Sequence, residues 1–300
     1  MRKKKDISDL IMQIIQYTFI AIFCVLCIYP FYYVIIYSIS DPVEAARGIW
    51  LLPKGFSLET YSRLFERDDL GLAFVVSIAR TVIGTGLCVF FTTMFAFLVT
   101  RKELPAKKFI YRFVIMTMYI GAGLIPWYLT MKAYHLKNSF WLYVIPGTIN
   151  AYYMILVKTF IEQLPESMEE SAVLEGAGFF DLFLKIIMPL SKPIIATIAV
   201  YCAVGQWNSW TDNFFLVSEK KLQTVQLILY NYINSANNIA QSMKTGGAAA
   251  AAAGQAVKSA ITPESVQMTA IVVTVVPIML VYPFAQKYFT KGIMMGAVKG

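Results

Sequence analysis

Charge is scarce in this chain. Of 300 residues only 15% are Asp, Glu, Lys or Arg, and one histidine, His135, occurs. Soluble domains usually carry about 25% charged residues, so two soluble domains are excluded. With a single histidine no H-E-x-x-H site can form, and His135 has no neighbouring Cys or carboxylate ligand, so no metal site is expected. The chain lacks a G-x-x-x-x-G-K-[ST] phosphate loop, which excludes nucleotide hydrolysis by that route, and no cofactor is expected in it. The four cysteines, Cys24, Cys27, Cys88 and Cys202, all lie inside apolar runs. Cys24 and Cys27 form a C-x-x-C, but an intramembrane thiol lacks the accessible thiolate that redox chemistry requires. The apolar runs are nearly free of carboxylates, which argues against a secondary carrier or channel acting alone. A membrane enzyme would need a carboxylate or metal cluster at one face, and none assembles outside a single acidic loop.

What is present is apolar length. Hydrophobic residues make up 58% of the chain and aromatic residues 15%, with a mean hydropathy of +0.60. An all-α integral membrane protein follows, with about 20 apolar residues per crossing. Six stretches qualify: about Ile14 to Ser40, Leu72 to Thr100, Ile110 to Met131, Phe140 to Phe160, Ile194 to Trp210 and Val266 to Tyr288. Pro30 is expected to kink the first, Gly121, Gly123 and Pro126 to loosen the third, and Pro277 and Pro283 to break the sixth. Trp50, between the first two, is a candidate interface anchor. The opening run is too long for a signal peptide and lacks a small-residue cleavage site, so it reads as a retained helix.

The net charge of +8 could suggest nucleic acid, but the cations cluster beside apolar spans as topology signals. With the N-terminus inside, inner segments hold 15 Lys and Arg and the longer outer segments 10. Residues 1–13 are then a cytoplasmic N-terminus and 14–300 a membrane domain with both termini cytoplasmic. Residues 211–265 form an outer loop whose alanine run reads as a short helix between turns, or as disorder. Arg80 lies within the second span, where two readings are open: pairing with an anionic substrate, or structural bonding to a neighbouring helix.

Residues 163–193 are a polar island between two apolar runs. Pro165 should stop the preceding helix, and ESMEESAVLEGA should form a short one with Glu166, Glu169 and Glu170 near its positive N-terminus. Ala172, Val173 and Leu174 supply an apolar patch, and Gly176 and Gly178 end the helix. Phe179, Phe180 and Phe183 lead to Pro189 and Pro193. A lipid-bound amphipathic helix would carry Lys and Arg, and this one is acidic, so a protein partner is favoured.

The island also resembles the EAA loop of ABC-importer permeases. Glu170, Ser171 and Ala172 are followed by three residues, Gly176, nine residues, then Ile186, Ile187, Met188 and Pro189. Ser171 stands for Ala, Glu175 for the usual Asp and Met188 for Leu. The likeness extends along the chain through IYPFYYVIIYSISDP, GAGLIPWYL, LKNSFW, QWNSWTDNFF and YPFAQKYFTKGIMMGAVKG, and is to MalG-like carbohydrate permeases of the LplC or YtcP type. The resemblance implies a type I ABC-importer permease fold and a heterodimer with a second permease. It also implies two cytoplasmic ATPase subunits that bind ATP and Mg, and an extracytoplasmic solute-binding protein. It assigns coupling to Glu166, Glu169, Glu170, Ser171, Ala172, Leu174, Glu175, Gly176, Ala177 and Pro189. Binding-protein contact falls to the outer loop, at Asn237, Gln241, Gly246 and Gly247. The cargo it implies is an oligosaccharide, and an alginate-like uronate would suit Arg80. Sugar pathways favour aromatic faces and amides, which makes Tyr119, Trp127, Tyr128, Asn150, Tyr152, Tyr153, Trp207, Asn208 and Trp210 candidates.

Overall fold

The computed structural model describes residues 7–66, 68–244 and 262–297. Fourteen helices are named here in chain order: α1 (Ile7–Ser38), α2 (Pro42–Ala46), α3 (Glu59–Phe65), α4 (Asp68–Thr100), α5 (Lys107–Tyr119), α6 (Leu124–Ala133), α7 (Ala151–Ile161), α8 (Glu166–Leu174), α9 (Phe179–Asp181), α10 (Met188–Leu190), α11 (Lys192–Asn208), α12 (Thr211–Leu216), α13 (Val225–Lys244) and α14 (Pro263–Ala297). Among the described residues there is no strand, only an isolated bridge between Ser40 and Phe56. The protein is an all-α integral membrane protein.

Three helical segments are long and apolar enough to cross a bilayer: Leu10–Ser38, Leu70–Thr100 and Pro263–Pro283. Pro30, Pro277 and Pro283 lie inside continuous helices, so the break expected in the last span does not occur. Each proline removes one backbone bond, but leaving the helix in hydrocarbon would strand many more polar groups. The fourth and fifth expected spans are bent pairs, Phe140–Gly147 with Ala151–Ile161 at 44° and Phe179–Leu190 with Lys192–Asn208 at 82°. In the first pair Pro146 sits in a 3-10 turn, and the Asn150 side chain caps α7 by accepting from Tyr153 N. The third expected span is two pieces, because α5 ends at Tyr119 and Gly123, at φ +79°, precedes α6. At 13 and 10 residues neither piece reaches the roughly 20 needed to cross. Among the described residues three helices are long and apolar enough to cross, or up to five with each bent pair counted as one span.

The chain divides into two compact units, Met1–Arg67 with Tyr230–Val276 and Asp68–Leu229 with Pro277–Gly300. In the first, Ile36 and Tyr37 of α1 pack with Ala45 and Ile49, with Tyr33 and Met268 against them. Asp41 caps α2 by accepting from Val43 N and Glu44 N. The Tyr61 hydroxyl lies 2.8 Å from Ser38 Oγ, and burial pushes its phenol above its ordinary pKa. Most of α1 is apolar on every side and exposed, as befits a lipid-facing helix.

In the second unit α4 runs along α7 and α11. Its core holds Ala96 and Phe97 from α4, Met154, Val157 and Ile161 from α7, Ala172 from α8, Leu182, Phe183 and Ile187, and Ile198 from α11. Cys88 and Cys202 are buried here as free thiols, while Cys24 and Cys27 lie exposed on α1. Gly84 of α4 lets the Gln206 side chain approach closely, since a Cβ there would stand 2.8 Å from Gln206 Nε2. Gly84→Ala would push aside the end of Gln206, which accepts from Arg80. Losing that charged bond costs about 1.5–3 kcal/mol against the roughly 1 kcal/mol that Ala gains over Gly in a helix, so the thermal unfolding midpoint in lipid nanodiscs should fall. Gly86→Ala, whose added Cβ meets open space, should not lower it.

Candidate functional site

The polar island folds as its residue types require. Pro165 occupies the cap position, α8 follows from Glu166 to Leu174, and Glu166 and Glu169 sit in its first turn, where the helix dipole favours them. The C-terminus closes as a Schellman motif: Ala177 N donates to Ala172 O at 2.9 Å and Gly176 N to Val173 O at 3.0 Å, with Gly176 at φ +85°. Only glycine takes that backbone conformation without strain. After Gly178, α9 leads into a π-helical turn over Leu182–Ile187 and then α10, which contains Pro189.

Two features hold α8 against the second unit. Ala172 is buried in the core beside Phe97 and Phe183. Arg101, just after α4, holds Glu169 by one hydrogen bond, Nη2 to Oε1 at 2.7 Å, and an ion-pair contact of Nη1 with Oε2 at 2.7 Å. The Arg101 guanidinium also lies 4.2 Å from the Phe97 ring centroid. Phe97 in turn stacks on Phe183 at 5.6 Å and meets Phe179 at 4.9 Å. Lys102 reaches Glu166 at 3.7 Å, but both are largely exposed, so screening leaves that pair a small contribution. The outward face stays open. Leu174 is 89% and Val173 57% exposed, Glu170, Ser171 and Glu175 are exposed, and a groove of about 710 Å³ runs between α8 and residues 100–107. The coupling residues expected from sequence thus lie on one short helix and its capping turn, with Pro189 at the far end of the segment leading to α11.

Arg80 lies inside α4, more than a dozen residues before its C-terminus at Thr100, and is 3% exposed. Its guanidinium makes an ion pair with both carboxylate oxygens of Asp212, donates to Ser209 O at 3.1 Å and to Gln206 Oε1 at 3.0 Å, and lies 4.6 Å from the Tyr143 ring centroid. Tyr143 and Asn213 bond to each other, and the Tyr143 hydroxyl donates to Leu222 O at 2.6 Å. Asn213 Oδ1 accepts from Thr224 N, and Val225 N donates to Ser77 Oγ at 2.9 Å. The network ties α4 to the segment from α11 to the start of α13.

The other pathway candidates disperse. Tyr119 is 85% exposed at the end of α5, and Trp127 and Tyr128 pack beside Leu142 and Leu216. Asn150 is committed to capping α7, and its N–H donates to Thr92 Oγ1. Tyr152 and Tyr153 are adjacent, and Tyr153 stacks on Tyr201 at 6.4 Å. Trp207 is buried near Phe74, Asn208 is exposed, and Trp210 meets Phe214 edge-on. Asn237 and Gln241 lie exposed on α13. Gly246 and Gly247, with the alanine run, lie outside the described residues. The first part of the expected outer loop is α12 and the 20-residue α13, whose apolar residues recur at Val225, Ile228, Leu229, Tyr232, Ile233 and Ala236. That helical spacing is legible in the chain.

Sequence reading missed Asp212, Gln206, Tyr143, Asn213 and Tyr201, and treated Arg101 only as a topology charge. Asp212 lies inside QWNSWTDNFF, so the signal was present without its partner. Among the described residues no group of three or more metal-ligating side chains assembles.

No family model matches the chain. It is 33% identical over 95% of its length to the polygalacturonan/rhamnogalacturonan transport system permease protein YtcP of Bacillus subtilis (strain 168), covering 96% of that protein. It is also 33% identical to protein LplC of the same strain, over 91% of this chain and 90% of LplC. A chain in the crystal structure of a bacterial ABC transporter involved in the import of the acidic polysaccharide alginate superposes with TM-score 0.79 at 26% identity, covering 95% of this chain and 99% of that one.

Removing Asp212 leaves Arg80 buried without its counter-ion. Asp212→Ala is expected to cost about 3–5 kcal/mol, read as a large fall in the thermal unfolding midpoint. The double variant Arg80→Met with Asp212→Leu should recover most of that loss.

Proposed function

The chain belongs to the carbohydrate ABC-transporter permeases, and on that premise we propose that it forms half of an oligosaccharide translocation pathway driven by ATP hydrolysis in other subunits. Its partners on this reading are a second permease, two cytoplasmic ATPase subunits that hold ATP and Mg, and an extracytoplasmic solute-binding protein. Both termini are cytoplasmic, as the distribution of Lys and Arg favours, and α8 then faces the cytoplasm.

The observation that carries the reading is α8. It is acidic, presents Val173 and Leu174 outward, and is clamped behind by Arg101 and Ala172. A helix held this firmly on one side and left apolar on the other suits a protein partner. When the ATPase subunits close around ATP they would displace α8, and the Phe97, Phe179 and Phe183 cluster would pass the movement to α4 and, through the π-turn and Pro189, to α11. The two permeases would then exchange inward and outward openings, driven by the different affinity of nucleotide for the two states.

For cargo, we assign the sugar-facing role to the aromatic group around Tyr152, Tyr153 and Tyr201, with Trp207, Asn208 and Trp210 as further candidates. Arg80 is taken as structural, because Asp212 already matches its charge. An acidic cargo of the kind named for the polygalacturonan and alginate relatives would then be selected by its carboxylates elsewhere in the assembly. A carrier acting alone would transport in vesicles without ATPase subunits, and this reading predicts that it does not.

In the reconstituted complex, Gly176→Ala strains the αL turn by about 1 kcal/mol, and Glu170→Ala removes an exposed acidic contact. Both are expected to lower sugar-stimulated ATP hydrolysis and uptake while leaving capture of sugar by the binding protein unchanged. Wild-type uptake in both variants would contradict the coupling assignment.

A further inference from the structure

The loop between α2 and α3 is closed at its neck and laid back along α1. At the neck, Asp41 N donates to Gly55 O at 2.9 Å, Ser57 N to Ile39 O at 3.0 Å and Lys54 N to Ser40 Oγ at 3.3 Å. At the tip, the Tyr29 hydroxyl donates to Trp50 O at 3.1 Å and the Tyr32 hydroxyl to Leu51 O. Tyr29 and Tyr32 are one turn apart on one face of α1, so two tyrosines from inside the helix hold consecutive carbonyls of the loop. The side chains beyond those carbonyls are bare: Trp50 is 79% exposed, Leu51 65%, Leu52 74% and Phe56 74%.

The position of the two tyrosines sets the depth. The apolar run Leu10–Ser38 has 29 residues, about 43 Å of helix at 1.5 Å per residue, against a hydrocarbon core of about 30 Å. With Leu10 at one edge of that core the other edge falls near Pro30, and with the run centred it falls near Val34. In the first placement Tyr29 and Tyr32 flank the boundary between acyl chains and headgroups, and in the second they lie about 8 Å and about 3 Å below it. Carbonyls exposed at that depth need donors, which the two hydroxyls supply, and indole rings favour that zone.

We propose that Trp50, Leu51 and Leu52 form a lipid anchor that enters the bilayer at the headgroup boundary beside α1, with the exposed Lys54 placed for lipid phosphate. Tyr29 and Tyr32 act as positioning residues that fix its depth. The occupant of this surface is lipid, and the proposal does not depend on the transport reading.

The test is tryptophan quenching of the full-length protein in phosphatidylcholine vesicles. Trp50 is one of five tryptophans, and its signal is the difference between wild type and Trp50→Phe. That component should be quenched by lipids brominated near the headgroup, less by lipids brominated deep in the chain, and not by aqueous iodide. In the double variant Tyr29→Phe with Tyr32→Phe it should move toward quenching by iodide. Iodide quenching in the wild type would show a loop in water, and protection from both quenchers would show the loop covered by protein, from this chain or a second copy of it. Either result would overturn the proposal, as would an unchanged profile in the tyrosine variant.

Discussion

The ion pair between Arg101 and Glu169 is the constraint on which the candidate site depends. A helix of nine residues such as α8 has little stability alone, because nucleation costs more than so few hydrogen bonds return. Its persistence rests on tertiary anchors: the two-pronged grip of Arg101, burial of Ala172 and the glycine turn at Gly176. Arg101 and Glu169 are partly shielded, at 17% and 22% side-chain exposure, so the pair is screened less than a surface bridge and its planar geometry adds directionality. Because Arg101 also rests on Phe97, the same side chain joins α8 to the aromatic cluster within the core.

Two arginines on or beside α4 follow one design with different burial. Just after the helix Arg101 pairs with Glu169, ahead of α11 in the chain. Within it Arg80 pairs with Asp212, just after α11. The helix that packs most extensively on α4 is thus bracketed by two arginine clamps. The interior clamp is more deeply buried, at 3% and 13% side-chain exposure, and Arg80 is further satisfied by Gln206, Ser209 and Tyr143, as a buried charge must be. The outer clamp keeps partial access to water, beside the face of α8 that is left exposed.

Local chemistry was the legible part. The α8 boundaries were readable from Pro165, the early glutamates and Gly176, because caps and turns are decided by adjacent residues. Hydropathy located the long helices α1, α4 and α14 for the same reason. What escaped was non-local. The 3-10 turns before α7 and the 82° bend before α11 depend on packing that a running hydropathy sum averages away, whereas the break between α5 and α6 falls at the glycines that mark it locally. Pro277 and Pro283 misled because proline breaks helices in water more readily than in a bilayer. Asp212 as the partner of Arg80 spans 132 positions, and no spacing rule reaches that far.

Leu174, 89% exposed at the end of α8, offers the most direct check of the docking account. A single reactive cysteine there, in a variant otherwise free of cysteine and assembled with its partner chains, would be treated with a short bismaleimide. The account predicts a covalent adduct between this chain and a cysteine-bearing ATPase subunit, with yield that changes when ATP is bound, and no such adduct from a cysteine at Tyr134. Absence of the adduct at Leu174, with the complex intact, would contradict the claim that α8 is the surface the ATPase engages.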